Sequence, residues 1–114
     1  MLMKSRNQRK VSVAIANGAA LSSAIDIRDA VGGLIQIPAA ITGNELRWLV
    51  SGDGTTYSDV DNSGVVIANT LAASRQIPIP TVVFGAPYLK VQSYTTGASA
   101  NQAAARTLVA ILKS

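Results

Sequence analysis

Two groups of oxygen-bearing side chains are the first places where this chain could do chemistry. Asp59-Val60-Asp61-Asn62-Ser63-Gly64 sets oxygen ligands at alternate positions with glycine sixth, as in the first half of a calcium loop. The twelfth position of such a loop is Thr70, where a bidentate glutamate is required, and Val65-Val66 follow the glycine at once. A hairpin turn explains the same residues. Glu45, Asp53 and Asp59 are the acids available to a two-carboxylate hydrolase, which needs them at a fixed separation across a cleft. They fall in or beside one hairpin, where solvated carboxylates are the simpler expectation. Histidine is absent, so serine chemistry has no usual base and zinc lacks its commonest ligand. Cysteine is absent too, which removes thiolate ligation and disulfides. The expectation is no catalytic residue, no metal site, no cofactor and no enzyme.

Ser51-Gly52-Asp53-Gly54-Thr55-Thr56-Tyr57 resembles the Asp-box turn of sialidase-like propellers, where Ser, Asp, Gly and an aromatic residue hold a hairpin. It occurs once here and lacks the residue that usually separates Asp from Gly. In those proteins the box is structural, so the resemblance implies a folded turn with Tyr57 packed on the sheet. Trp48 and Tyr57 could stack on a sugar, but the parity of Trp48 in its strand predicts a core position.

The element that positions these residues is the hairpin Glu45–Asp61. Glu45, Arg47 and Ser51 alternate with Leu46, Trp48 and Val50, broken by Leu49, close to the period of two of a strand with one dry face. Ser51–Thr56 supplies turn chemistry and Tyr57–Val60 returns. Lys10–Ile15 alternates as a first strand, and Asn17-Gly18 is a strong turn signal. Ala24–Arg28, Leu34–Pro38, Val65–Ala68, Arg75–Pro78, Tyr88–Tyr94 and Arg106–Leu112 are further predicted strands. Val65–Ala68 is apolar on both parities, as in a strand covered on both sides or at an interface. A single helical turn is expected in Thr81–Ala86. Thr95–Ala104 is a Gly/Ala/Ser/Asn loop, long for a hairpin, whose length and mobility make it a candidate contact loop. Ala100–Leu112 also has helix propensity, but Thr107, Val109 and Ile111 are β-branched and no cap is evident. The pattern predicts an all-β fold, an antiparallel β-sandwich of jelly-roll or Ig-like kind with eight to nine short strands.

The 114 residues suit one domain, 48% hydrophobic and only 14% charged. Four of the ten basic residues, Lys4, Arg6, Arg9 and Lys10, lie in the first ten positions, where there is no acid. From Val11 onward six basic residues meet six acidic ones. The division is therefore a basic N-terminal arm, residues 1–10, and a neutral sandwich, residues 11–114. The arm reads either as a poorly ordered terminus or as an extended segment that orders on a partner, with Lys4, Arg6, Arg9 and Lys10 as candidate partner-binding residues. It has no aromatic to stack on bases, and no basic stripe continues from it, so nucleic acid is not expected. Neither a secretory signal nor a membrane-spanning run is expected. A protein made and kept in the cytoplasm, or assembled there, is the simplest expectation.

Five stretches taken in order carry a resemblance. They are Ile15–Asp26, Leu34–Ala40, Leu49–Tyr57, Tyr88–Ser93 and Asn101–Leu108. Together they resemble small β-sandwich structural proteins of tailed bacteriophages, among them head decoration or cement proteins, over roughly residues 11–112. The resemblance implies a virion structural protein on the outer capsid surface. It would bind the major capsid protein and stabilise the head as a homo-oligomer, a dimer or trimer. No catalytic residue is implied, and the arm lies outside the similar region. Two other classes fit the same residues: a phage tail or fibre module attaching to a host receptor such as a glycan, and a cytoplasmic domain around a small ligand.

Overall fold

The computed structural model describes residues 8–114 and is all-β and antiparallel. Its strands are β1 (Gln8–Ile15), β2 (Ile25–Asp26), β3 (Gly32–Gln36), β4 (Glu45–Ser51), β5 (Ser58–Asp59) and β6 (Asp61–Asn62). They continue with β7 (Val65–Val66), β8 (Ala68–Thr70), β9 (Gln76–Pro78), β10 (Tyr88–Thr95), β11 (Ala98–Ser99) and β12 (Arg106–Lys113). A 3₁₀ turn covers Thr81–Gly85, where a single helical turn was predicted.

A small sheet has the order β1-β12-β3-β9. A large one runs β11-β10-β4-β5, with β2 also on β10 and β8 also on β4. Their inner faces share one core. Val13, Ile15, Ile35, Leu108, Ala110 and Leu112 meet Leu46, Trp48, Leu89 and Val91, all fully or almost fully buried. That is a β-sandwich, and it follows from strict alternation: in β12 Leu108, Ala110 and Leu112 point inward while Thr107, Val109 and Ile111 point out. The helical alternative for Ala100–Leu112 does not occur.

Trp48 is wholly buried, and its indole N–H donates to Asn69 Oδ1 at 2.8 Å, so the deepest ring in the core keeps a polar partner. Pro38 lies just past β3, as its missing N–H requires, and Pro78 closes the edge strand β9. β1 begins at Gln8, two residues before the predicted start. Lys113 provides the partner: the ladder runs unbroken from Gln8 opposite Lys113 to Ile15 opposite Arg106. Arg9 and Lys10 are therefore residues of a sandwich strand rather than of an arm. Lys4 and Arg6 lie outside the described residues.

The second edge of β4 is one strand with an excursion in it. Ser58 and Asp59 pair with Val50 and Leu49, then Ala68–Thr70 pair with Arg47–Glu45. Between them Val60 N–H donates to the Trp48 carbonyl at 3.1 Å, and Ile67 N–H closes onto the Val60 carbonyl at 2.8 Å. Residues 61–66 thus leave the sheet as the β6–β7 hairpin, with Ser63 and Gly64 at φ of 54° and 89°. Val65 is 67% exposed there. The apolar run Val65–Ala68 is accordingly not covered on both sides within the chain.

Candidate functional site

The acids singled out from the sequence are occupied separately. Glu45 accepts from Arg47 Nε at 2.6 Å. Asp53 Oδ1 accepts the amides of Thr55 and Thr56 at 2.8 and 3.0 Å, and the Ser51 hydroxyl donates to it at 2.9 Å. Ser51 Oγ in turn accepts from Gly54 N–H at 2.9 Å. These bonds hold the Asp53 carboxyl down at about 2, with the amides of Thr56 and Thr55 as the main cause. Ser51–Tyr57 is the folded turn that the Asp-box resemblance implies. Asp59 is exposed on β5, and Asp61 accepts from Gly64 N–H at 2.9 Å, which makes the calcium-like stretch a hairpin turn. Among the described residues no three Asp or Glu side chains converge as a metal site.

Arg9 and Lys10 part company. Arg9 points under the sheet and pairs with Asp29 at 2.7 Å, and it also donates to the Asp26 carbonyl. Lys10 points outward and is exposed. The structure therefore does not bring the two together as one cationic contact. Thr95–Ala104, expected to be a long loop, is mostly exposed loop but is tied down in part. Thr96 and Gly97 make a tight turn, β11 pairs with β10, and Gln102 is 1% exposed.

What the structure assembles is the outer face of the large sheet. Period-two alternation puts Tyr88, Lys90, Gln92 and Tyr94 of β10 outward beside Ser51, Leu49, Arg47 and Glu45 of β4. All three tyrosines of the chain lie here, each with a cation over its ring. Arg47 lies 3.9 Å from the Tyr94 centroid, Lys90 4.6 Å from that of Tyr57, and Arg28 5.4 Å from that of Tyr88. Each such stack is worth about 0.5–1 kcal/mol at an exposed site. Glu45 orients Arg47, and Asp26 orients Arg28 at 2.7 Å. The Ser51–Tyr57 turn stands beside this face, since a Cβ added at Gly54 would meet the Tyr88 ring at 3.4 Å. Among the described residues the Tyr57 hydroxyl is buried without a partner, and desolvation pushes its pKa up.

Sequence reasoning found Tyr57 but missed Tyr88, Tyr94 and the cations over them. The signal was present in Tyr88-Leu89-Lys90-Val91-Gln92-Ser93-Tyr94, whose odd members form one polar and aromatic face. Trp48 offers no ring to a sugar, and one face of Tyr57 is already taken by Lys90.

On this face Arg47 and Arg28 are paired with Glu45 and Asp26 while Lys90 lies over the Tyr57 ring, and tyrosine and arginine held in place lose little side-chain entropy on binding. Among the described residues no helix is long and apolar enough to cross a membrane. Compared with family models, curated proteins and solved structures, the chain matches none.

Proposed function

We propose that this chain is a virion structural protein, a capsid decoration protein of the cement type. In this reading it sits on the outer surface of a tailed-phage head as a homo-oligomer. It binds the major capsid protein and stabilises the shell by contact alone. The ordered resemblance described above brings the reading forward. The observation that carries it is the tyrosine and arginine face built by β4 and β10, a preordered contact surface on a rigid sandwich.

The physics of a cement protein asks for modest contacts repeated many times. A subunit contact of about 800 Å² per partner is enough when a shell multiplies it. A face of Tyr, Arg, Lys, Gln and Leu, with Arg47 and Arg28 already paired to Glu45 and Asp26, adds little charge repulsion between neighbouring copies.

The deciding experiment is the protein content of gradient-purified particles from an infection that expresses the chain. The chain present in numbers comparable with the major capsid protein, and visible as density outside the shell, is expected. Particles that lack it overturn the reading.

A further inference from the structure

A β-sheet edge carries unspent amides and carbonyls, and β1 is the one long, regular edge among the described residues. β9 has three residues and ends in Pro78, β11 has two, and the β5–β8 edge is broken by the hairpin at residues 61–66. Such interruptions blunt an edge against adventitious pairing. β1 has eight residues in continuous register with β12 on one side and, among the described residues, no strand on the other.

The phase of its hydrogen bonds can be read from one end. Ala14 N–H donates to Ser23 Oγ at 3.1 Å, and Ser23 N–H donates to the Ala14 carbonyl at 2.8 Å. Both main-chain groups of Ala14 therefore face away from β12. In an antiparallel ladder the two groups of a residue point the same way and successive residues alternate, so those of Ser12 and Lys10 also face away. Ser23 closes the edge at Ala14 and leaves it open from Ser12 toward Gln8.

The charge beside this open stretch is positive and unspent. Lys10 stands on the outer face opposite Ile111, with Lys113 as its diagonal neighbour on β12. Among the described residues neither ammonium is in a salt bridge, whereas Arg9, Asp26 and Asp29 are all engaged underneath. A second copy pairing here would bring like charges together.

We propose that the open edge of β1 at Lys10–Ser12 is a strand-addition site for an extended acidic segment of a partner protein. Its backbone would exchange hydrogen bonds with Lys10 and Ser12, and a carboxylate at the position opposite Lys10 would set specificity. The inference deepens the proposed function by naming the chemistry of one contact. A chain that adds an acidic strand yet is missing from purified particles would keep this inference and lose that reading.

The test uses the full chain and two acetylated eight-residue peptides, one alternating Thr and Glu, the other Thr and Lys. Amide hydrogen exchange is followed at Lys10 and Ser12. The Glu peptide at millimolar concentration is expected to slow both amides roughly tenfold, and the Lys peptide to leave them unchanged. Lys10→Glu, an exposed change that leaves the core intact, should reverse the preference. Ser12→Pro, which removes an outward donor and spares the bonds of Val11 and Val13 to β12, should abolish protection. Equal effects of the two peptides, no protection by the Glu peptide, or protection that already rises with protein concentration in their absence would overturn the proposal. The last result would assign the edge to a second copy.

Discussion

Gln102 and Thr42 hold each other twice. The Gln102 side-chain amide donates to the Thr42 carbonyl at 2.8 Å, and Thr42 N–H donates to Gln102 Oε1 at 2.8 Å. The same amide donates to Ser93 Oγ at 2.9 Å, and the Gln102 main chain bonds Gly18 and Ala19. One buried residue thus joins three connections at one end of the sandwich, its side chain holding Thr42 and its main chain Gly18 and Ala19.

Removing it should leave several buried groups unpaired. Gln102→Leu is expected to destabilise by on the order of 3 kcal/mol, since each orphaned buried group costs about 1–3 kcal/mol. Urea unfolding followed by circular dichroism measures this. A midpoint equal to that of the parent would mean that solvent replaces the network.

Acid should loosen the Ser51–Tyr57 turn in a defined window. The folded pKa of Asp53 is about 2 against an ordinary 3.8, so the folded state favours the charged form. The stabilisation is complete above the unfolded value and is lost as pH falls through the folded one. Stability should therefore decline between about pH 4 and pH 2, and Asp53→Asn should remove part of that slope. Carboxyl carbon shifts of Asp53 followed by NMR give the site directly, and a midpoint near 4 would contradict the bonding described.

Gly33 is required by space rather than by turn geometry. A Cβ there would lie 2.4 Å from the Ile111 carbonyl, whereas at Gly52 it would meet nothing within 4 Å. Gly33→Ala is expected to lower stability by about 1–3 kcal/mol and Gly52→Ala by no more than about 0.5 kcal/mol. Thermal melts of the two variants side by side decide the matter.

The β6–β7 hairpin is separable in register. Leu49 pairs with Asp59 and Arg47 with Ala68, so deleting residues 61–67 lets Val60 opposite Trp48 run straight into Ala68. The shortened chain should fold with an unchanged β4–β10 ladder in amide exchange. If Val65 at the hairpin tip contacts the shell, particle occupancy should fall while the fold persists.

Deleting residues 1–7 removes Lys4 and Arg6 and leaves β1 whole. Capsid occupancy is expected to drop, with the difference from the full chain shrinking as salt rises, because charge contacts at a surface are screened beyond about 8–10 Å near physiological ionic strength. Occupancy equal to that of the full chain at low salt would take the basic terminus out of the mechanism.

Much of the fold, though little of the tyrosine face, lay in plain view along the chain, because strands record their faces in alternate residues. The alternation of Glu45–Ser51, Tyr88–Tyr94 and Arg106–Leu112 was enough to read strands, an inward Trp48 and an all-β sandwich. The turn chemistry of Ser51–Thr56 and Asp61–Gly64 was equally local, since a short polar side chain bonds amides two or three residues away. What the sequence could not settle depends on pairing across long separations. That Gln92 stands beside Arg47, so that Tyr94, Arg47 and Glu45 form one stack, is decided by the register of β10 on β4. Gln102 looks like a polar loop residue until Thr42, sixty positions away, closes on it. Arg9 and Lys10 are neighbours in sequence, but strand geometry sends one beneath the sheet to Asp29 and leaves the other in solvent. Local patterns determine which face a residue shows; only the folded chain determines what that face meets.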